Sequence, residues 1–249
     1  MGQPLIFSAI DRAVFEYNII EDGDRILIGA SGGKDSTALI EYFAMRSRRK
    51  NCNFQYKAVA VQSDFAPPFP ENIRKYFEEW NVPFEVIDVD IMGRLKEGRK
   101  MNCYWCSTQR RTELLRYAIA NGYNKIALGH HYDDAVETFV MSLFYEGRIS
   151  CFQPVTDLDR TGVIQIRPML YIHEKTVDNF AKRMELPVVE NRCPVDKETK
   201  REEVKKLIYD LAQTYPELKD RIFGAMQRYP LPEWEPRGRY KRPKEQPDD

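Results

Sequence analysis

The 249-residue chain has no apolar run long enough to span a bilayer. It opens Met-Gly-Gln-Pro-Leu-Ile-Phe, with no basic stretch leading into an apolar segment, so no signal peptide and a cytoplasmic location are expected. Net charge is also missing: 38 Lys and Arg balance 38 Asp and Glu. A neutral chain sets up no overall field for nucleic acid, which leaves local patches as the only source of phosphate affinity. Histidine is scarce, with only His130, His131 and His173. The cysteines are few and odd in number: Cys52, Cys103, Cys106, Cys151 and Cys193. Without an export signal, that count argues against a disulfide framework and for metal or redox work. There is no internal repeat and no zinc-ribbon module.

Positive charge is clustered. Arg46, Arg48, Arg49 and Lys50 form one group, and Arg228, Arg237, Arg239, Lys241, Arg242 and Lys244 dominate the tail. Arg94, Lys96, Arg99, Lys100, Arg110 and Arg111 surround a Cys pair. Any one cluster can be a solvated face; the group around the cysteines is the one expected to work.

The most informative stretch is Ser31-Gly-Gly-Lys-Asp-Ser36, directly after the apolar run Arg25-Ile-Leu-Ile-Gly-Ala30. It reads as a buried strand, a turn with adjacent glycines, and a helix starting near Thr37. Glycines let backbone N–H groups approach an anion, and the helix N-terminus adds partial positive charge. Lys34 adds a full charge, and Ser31 and Ser36 add hydroxyls. The pattern is not a Walker A loop, because Asp35 follows Lys34 and the glycine spacing differs. The cradle is therefore assigned to Ala30, Ser31, Gly32, Gly33, Lys34, Asp35 and Ser36. It resembles the pyrophosphate loop of the N-type ATP pyrophosphatases, which implies that ATP is split at its α-phosphorus to give an adenylated substrate.

Strand and helix signals alternate along the chain. Strands are predicted at 25–30, 57–62, 84–89, 125–129, 163–166 and 188–189, and helices at 8–18, 37–48, 71–80, 110–121, 133–144, 175–184, 202–214 and 217–226. Alternating units imply an α/β fold with a parallel sheet covered on both faces, and ligands at the carboxyl ends of the strands. Three parts are expected: an N-terminal helical segment (1–22), the ATP-binding domain (23–226), and a Pro- and charge-rich tail (227–249), either mobile or a wrapped arm.

Two further motifs carry chemistry. Cys103-Tyr-Trp-Cys106 lets two thiolates reach one metal, and a helix beginning just after would favour the thiolate form. Zinc, an iron–sulfur cluster and a redox pair all fit this spacing. Leu128-Gly-His-His-Tyr-Asp-Asp134 sits at a strand end. Gly129 allows close approach to a nucleotide. Asp133 and Asp134 suit helix caps, a Mg²⁺ ion or proton transfer.

The order of these motifs, followed by a later Cys193, resembles the tRNA 2-thiocytidine synthetases. The likeness runs from Tyr17-Asn-Ile-Ile-Glu-Asp-Gly-Asp24 through Ile166-Arg-Pro-Met-Leu-Tyr171 to Cys193. Lys125-Ile-Ala-Leu-Gly-His-His and Phe144-Tyr-Glu-Gly147 favour this branch over the 2-thiouridine enzymes. The resemblance implies a Rossmann-like, adenine nucleotide alpha hydrolase type of fold, with ATP and Mg²⁺ as reactants. It implies a [4Fe–4S] cluster on Cys103, Cys106 and Cys193, leaving Cys52 and Cys151 structural. It implies catalytic roles for Asp35, Arg110, Asp133, Asp134 and Cys193. The partners it implies are tRNA, a sulfur donor such as a cysteine desulfurase, and a second copy of the chain. The implied reaction adenylates the C2 oxygen of an anticodon-loop cytidine and replaces it with sulfur. The alternatives are thiolation of uridine or of a small molecule, and a zinc-stabilised RNA-binding protein without catalysis.

Overall fold

Ile26, Leu27 and Ile28 are wholly buried, so β1 (Arg25–Gly29) has no solvent face. That is the position of a central parallel strand, whose sequence is a continuous apolar run instead of an alternating one. The computed structural model describes residues 4–49, 53–98, 100–158, 160–189, 199–229 and 234. In chain order the elements are α1 (Leu5–Glu16), β1, α2 (Lys34–Arg46), β2 (Gln55–Ser63), α3 (Glu71–Glu79) and β3 (Phe84–Val89). A 3₁₀ turn at Met92–Arg94 leads to α4 (Cys103–Ala120), β4 (Lys125–Ala127) and α5 (Tyr132–Glu146). Then come β5 (Val155–Leu158), β6 (Val163–Ile166), α6 (Glu174–Arg183), α7 (Lys200–Thr214) and α8 (Leu218–Arg228).

The sheet order is β3-β2-β1-β4-β6-β5. Every pairing is parallel except β5 with β6. The α/β parallel-sheet expectation holds. The antiparallel edge strand β5 was not predicted, because Val-Thr-Asp-Leu is short and only half buried. Residues 188–189 form no strand; Val189 instead donates its N–H to Gly32 O at 2.8 Å.

Side chains from β1 feed both faces. Ile26 and Ile28 join Phe7 and Ile10 of α1, Leu39 and Phe43 of α2, and Phe180 of α6 in one buried cluster. Leu27 joins Val59, Ile126 and Val163 against Leu114 and Ala118 of α4. A third cluster gathers Val136 and Val140 of α5, Ile208 of α7, Phe223 of α8, and Trp234. Trp234 belongs to the predicted tail, yet it is wholly buried. Its Nε1 donates to Phe152 O at 3.0 Å, and its carbonyl accepts from the Tyr17 hydroxyl at 3.4 Å. At this residue the tail is a wrapped arm.

At the amino edge, Lys125 is buried with its Nζ 2.7 Å from Asp24 Oδ2 and 3.1 Å from Ile19 O. Two segments that carried the family resemblance, Tyr17–Asp24 and Lys125–His131, are thus tied by one buried ion pair. Among the described residues no helix is long and apolar enough to cross a membrane.

Candidate active site

Helix α2 starts three residues earlier than its sequence suggested, at Lys34 with Gly33 as N-cap. Thr37 and Ser36 turn their hydroxyls back to Gly33 O, at 3.1 and 3.0 Å. This bonding lets two residues of modest helix propensity sit in the first turn. Ser31 Oγ lies 3.0 Å from Ser36 Oγ and accepts the Gly33 N–H at 3.3 Å, which closes the loop on itself. Gly33 has no side chain, and no side chain caps this helix. The first N–H groups of α2 are therefore left for a ligand, and they carry the positive end of the helix dipole.

Two glycines set the walls of the cradle. Gly32 has a φ of +80°, and a Cβ there would fall 2.5 Å from Val189 Cγ2. A Cβ on Gly129 would meet the Asp35–Ser36 peptide at 3.2 Å. The loop after β4 is thereby drawn against the start of α2.

Lys34 Nζ is surrounded by carboxylates: Asp35 at 3.4 Å, Glu174 at 3.4 Å and Asp178 at 3.5 Å. Burial works against its charge, but those three carboxylates outweigh it and raise its pKa. Asp35 is pushed up, chiefly by burial and against the pull of His131 and Lys34. Its Oδ1 is buried without a hydrogen bond.

Asp133 and Asp134 are differently placed. Asp133 Oδ2 accepts the Glu174 N–H at 2.7 Å, and Oδ1 takes Lys219 Nζ of α8. Burial would raise its pKa, but those two partners pull it below the usual carboxylate value. Asp134 forms a capping box with His131 and receives Arg201 of α7 at 2.8 Å. Both carboxylates are thus engaged by hydrogen-bonding partners, while Asp35 Oδ1 has a long ion pair to Lys34 at 3.4 Å, with His131 4.0 Å away.

Helix α4 begins at Cys103, not at Arg110, and Asn102 caps it by accepting the Trp105 N–H at 2.8 Å. The cysteines therefore lie on its first turn, three residues apart and so on one face. Cys103 is exposed and Cys106 buried. Among the described residues no three His, Cys, Asp or Glu side chains form a metal-binding group. Cys193, the proposed third ligand, lies outside the described residues, as does Cys52. Arg110, two turns along α4, reaches Ser63 Oγ at the end of β2 at 3.4 Å, and its Nε is buried and unbonded. This contact brings α4 to the carboxyl edge of the sheet, where the cradle opens. Cys151 is half-buried, donates to Ala135 O at 3.4 Å, and is raised to about 12 by burial; such a thiol is inert. His130 stacks on Phe152, and burial lowers it to about 4, with Arg167 adding to the effect.

A PP-loop domain model matches residues 8–211. The chain belongs to the PP-loop family. Within it, the chain is 35% identical over 225 residues to a tRNA-cytidine(32) 2-sulfurtransferase of Dichelobacter nodosus (strain VCS1703A), covering 88% of this chain and 84% of that protein. A second tRNA-cytidine(32) 2-sulfurtransferase, from Shewanella sp. (strain ANA-3), is 34% identical over 223 residues, 88% of this chain and 72% of that one. Among solved structures, the U34-tRNA thiolase NcsA from Methanococcus maripaludis, described with its [4Fe-4S] cluster, superposes with a TM-score of 0.71. At 20% identity over 87% of this chain and 76% of that one, this likeness shows the fold alone. As a PP-loop protein the chain binds ATP.

Sequence reasoning missed Glu174, Asp178, Arg201, Lys205 (2.8 Å from Glu174 Oε2) and Lys219, which approach the site from α6, α7 and α8. Glu174 lies three residues beyond Tyr171, where the quoted family stretch ends. The α7 and α8 residues carry no motif that could have signalled them.

Proposed function

We propose that the protein is an ATP-dependent tRNA sulfurtransferase that converts an anticodon-loop cytidine, position 32 in its relatives' names, to 2-thiocytidine. The observation that carries this reading is the pairing of two features at one sheet edge. One is the uncapped, lysine-bearing terminus of α2. The other is a second helix, α4, that opens with two cysteines and sends Arg110 to Ser63.

The N–H groups of α2 and Lys34 hold the terminal phosphates of ATP. The C2 oxygen of the base attacks the α-phosphorus, the bond to the β-phosphate breaks, and pyrophosphate leaves. Arg110 supplies positive charge beside the reacting base. Sulfur then bonds to C2, and the C–O bond breaks to release AMP with the original oxygen. The buried Oδ1 of Asp35, with no hydrogen bond and a long ion pair to Lys34, fits a Mg²⁺ ligand.

The thiols of Cys103 and Cys106, on one face of a helix terminus, fit two positions of a three-thiolate [4Fe–4S] site, with Cys193 as the third. Such a cluster, when bound, supplies an iron with an open position for sulfur. The resemblance also supports a cysteine desulfurase as sulfur source, a homodimer, and a cytoplasmic setting.

Anaerobic purification with iron, sulfide and zinc analysis tests the cofactor. About four irons and four sulfides per chain are expected, falling sharply in Cys103→Ser and Cys106→Ser. Zinc without iron would contradict it.

A further inference from the structure

Between the two cysteines of α4 stands a side chain that none of the roles above uses. Tyr104 is 78% exposed, and among the described residues its hydroxyl makes no hydrogen bond. We propose that Tyr104, with Ser107 and Arg111, forms a contact stripe for single-stranded RNA, with Tyr104 as the platform for an unstacked base. The inference rests on the tRNA reading above.

Residues 104, 107, 108 and 111 follow the spacing that places side chains on one helical face. Ser107 and Arg111 are exposed along it and Thr108 is half-buried. Arg111 folds back along the stripe, with its Nε 3.3 Å from Ser107 O and an Nη2 3.5 Å from Ser107 Oγ. No carboxylate pairs with it among the described residues. Its neighbours differ, since Arg94 and Arg116 both engage Glu113, at 2.6 and 2.7 Å. Arg111 is therefore a cation available to an incoming phosphate.

An exposed ring beside an uncommitted guanidinium is the combination by which proteins hold single strands: bases stack on the ring, and the cation tracks the backbone. The rest of the stripe, Ser107 and Thr108, is polar, which suits RNA better than an apolar protein partner. Position adds to the case. Tyr104 directly follows the exposed Cys103 on the first turn of α4, so its stripe borders the cysteine end of the helix.

The test uses the full chain, a fluorescein-labelled anticodon stem-loop RNA and anisotropy titrations over a salt series. Tyr104→Ala should weaken binding about tenfold or more, with the salt slope unchanged. Tyr104→Phe should stay within about twofold of wild type, because the π-face is retained. Arg111→Ala should weaken binding and lower the salt slope by about one. ATP affinity and thermal midpoint should not move in any variant. RNA affinity unchanged in Tyr104→Ala would overturn the proposal, as would an equal loss in Tyr104→Phe. A change of oligomeric state in Tyr104→Ala with RNA affinity intact would also overturn it, in favour of a protein contact. Failure of wild type to bind the stem-loop would instead sink the parent tRNA reading.

Discussion

Asp35 and Asp133, each in the first turn of a helix, do different jobs, and the difference is visible only in their partners. Asp133 is saturated by the Glu174 N–H and Lys219, whereas Asp35 Oδ1 is buried with no hydrogen bond and a longer ion pair to Lys34, at 3.4 Å. Asp133→Asn is therefore expected to lower stability by about 1–3 kcal/mol, the cost of disturbing a charged buried hydrogen bond, as read by chemical denaturation. Asp35→Asn removes a charge that burial disfavours, so its stability should hold or rise while ATP-dependent turnover falls by more than about tenfold. Equal stability losses in both variants would refute this division. Neither role was legible in the sequence, where Asp133 and Asp134 read equally well as caps, metal ligands or proton carriers. The cradle residues were legible, because glycine, lysine and hydroxyl chemistry follow from residue type at a known place in a strand–turn–helix unit.

Glu41 is a second residue-scale case. It is buried on α2, accepts a hydrogen bond from the Tyr76 hydroxyl at 3.3 Å, and is raised by burial from 4.5 to about 7. The folded state then holds a proton that the unfolded chain releases. Stability should be fullest below about pH 4.5 and decline as pH rises to about 7, by on the order of 3 kcal/mol. Denaturation of wild type and Glu41→Gln across pH 4.5–8 checks this: the decline should be smaller in the variant by that amount, with the part due to Glu137, also raised to about 7 by burial, remaining.

At the scale of elements, the helices and strands of the parallel core were readable because their apolar periodicity is strong. The starts of α2 and α4 were not, since both open on polar or cysteine residues with no apolar repeat. In α4 the cap at Asn102 decides the start, and it moves both cysteines onto the first turn. Strand β5 escaped because three half-buried residues and one exposed one give no usable period. The join between elements at the amino edge supplies a prediction. Lys125 and Asp24 are both almost wholly buried at 2.7 Å, so Lys125→Met leaves Asp24 without its cation, and Asp24→Asn leaves Lys125 with the more exposed Glu21 at 3.2 Å. Each is expected to cost about 3–5 kcal/mol, measured by urea unfolding, and the double variant should recover part of the loss. Full additivity of the two losses would contradict the pairing.

Across the whole molecule, the carboxyl edge collects residues from α2, α4, α5, α6, α7 and α8, which is why the site could not be assembled from linear motifs. Charge totals hid it as well: a neutral chain concentrates its carboxylates around Lys34 and leaves Arg111 uncommitted. Trp234 shows the same lesson for the tail. Composition there suggests loose chain, yet one large aromatic fills the cluster between α5, α7 and α8. Trp234→Ala is expected to cost about 3–5 kcal/mol, lowering the thermal midpoint by several degrees. An unchanged midpoint would show that the arm is not part of the fold. The central claim concerns the reaction itself, and nucleoside mass spectrometry tests it most directly. Anaerobic protein with its cluster reconstituted is incubated with unmodified tRNA, ATP, Mg²⁺ and a sulfide source, and the tRNA is digested to nucleosides. The account predicts 2-thiocytidine that appears only with ATP and in step with AMP release, and that is lost in Lys34→Ala. Thiouridine in its place, or no thiolated nucleoside from cluster-loaded protein, would contradict it.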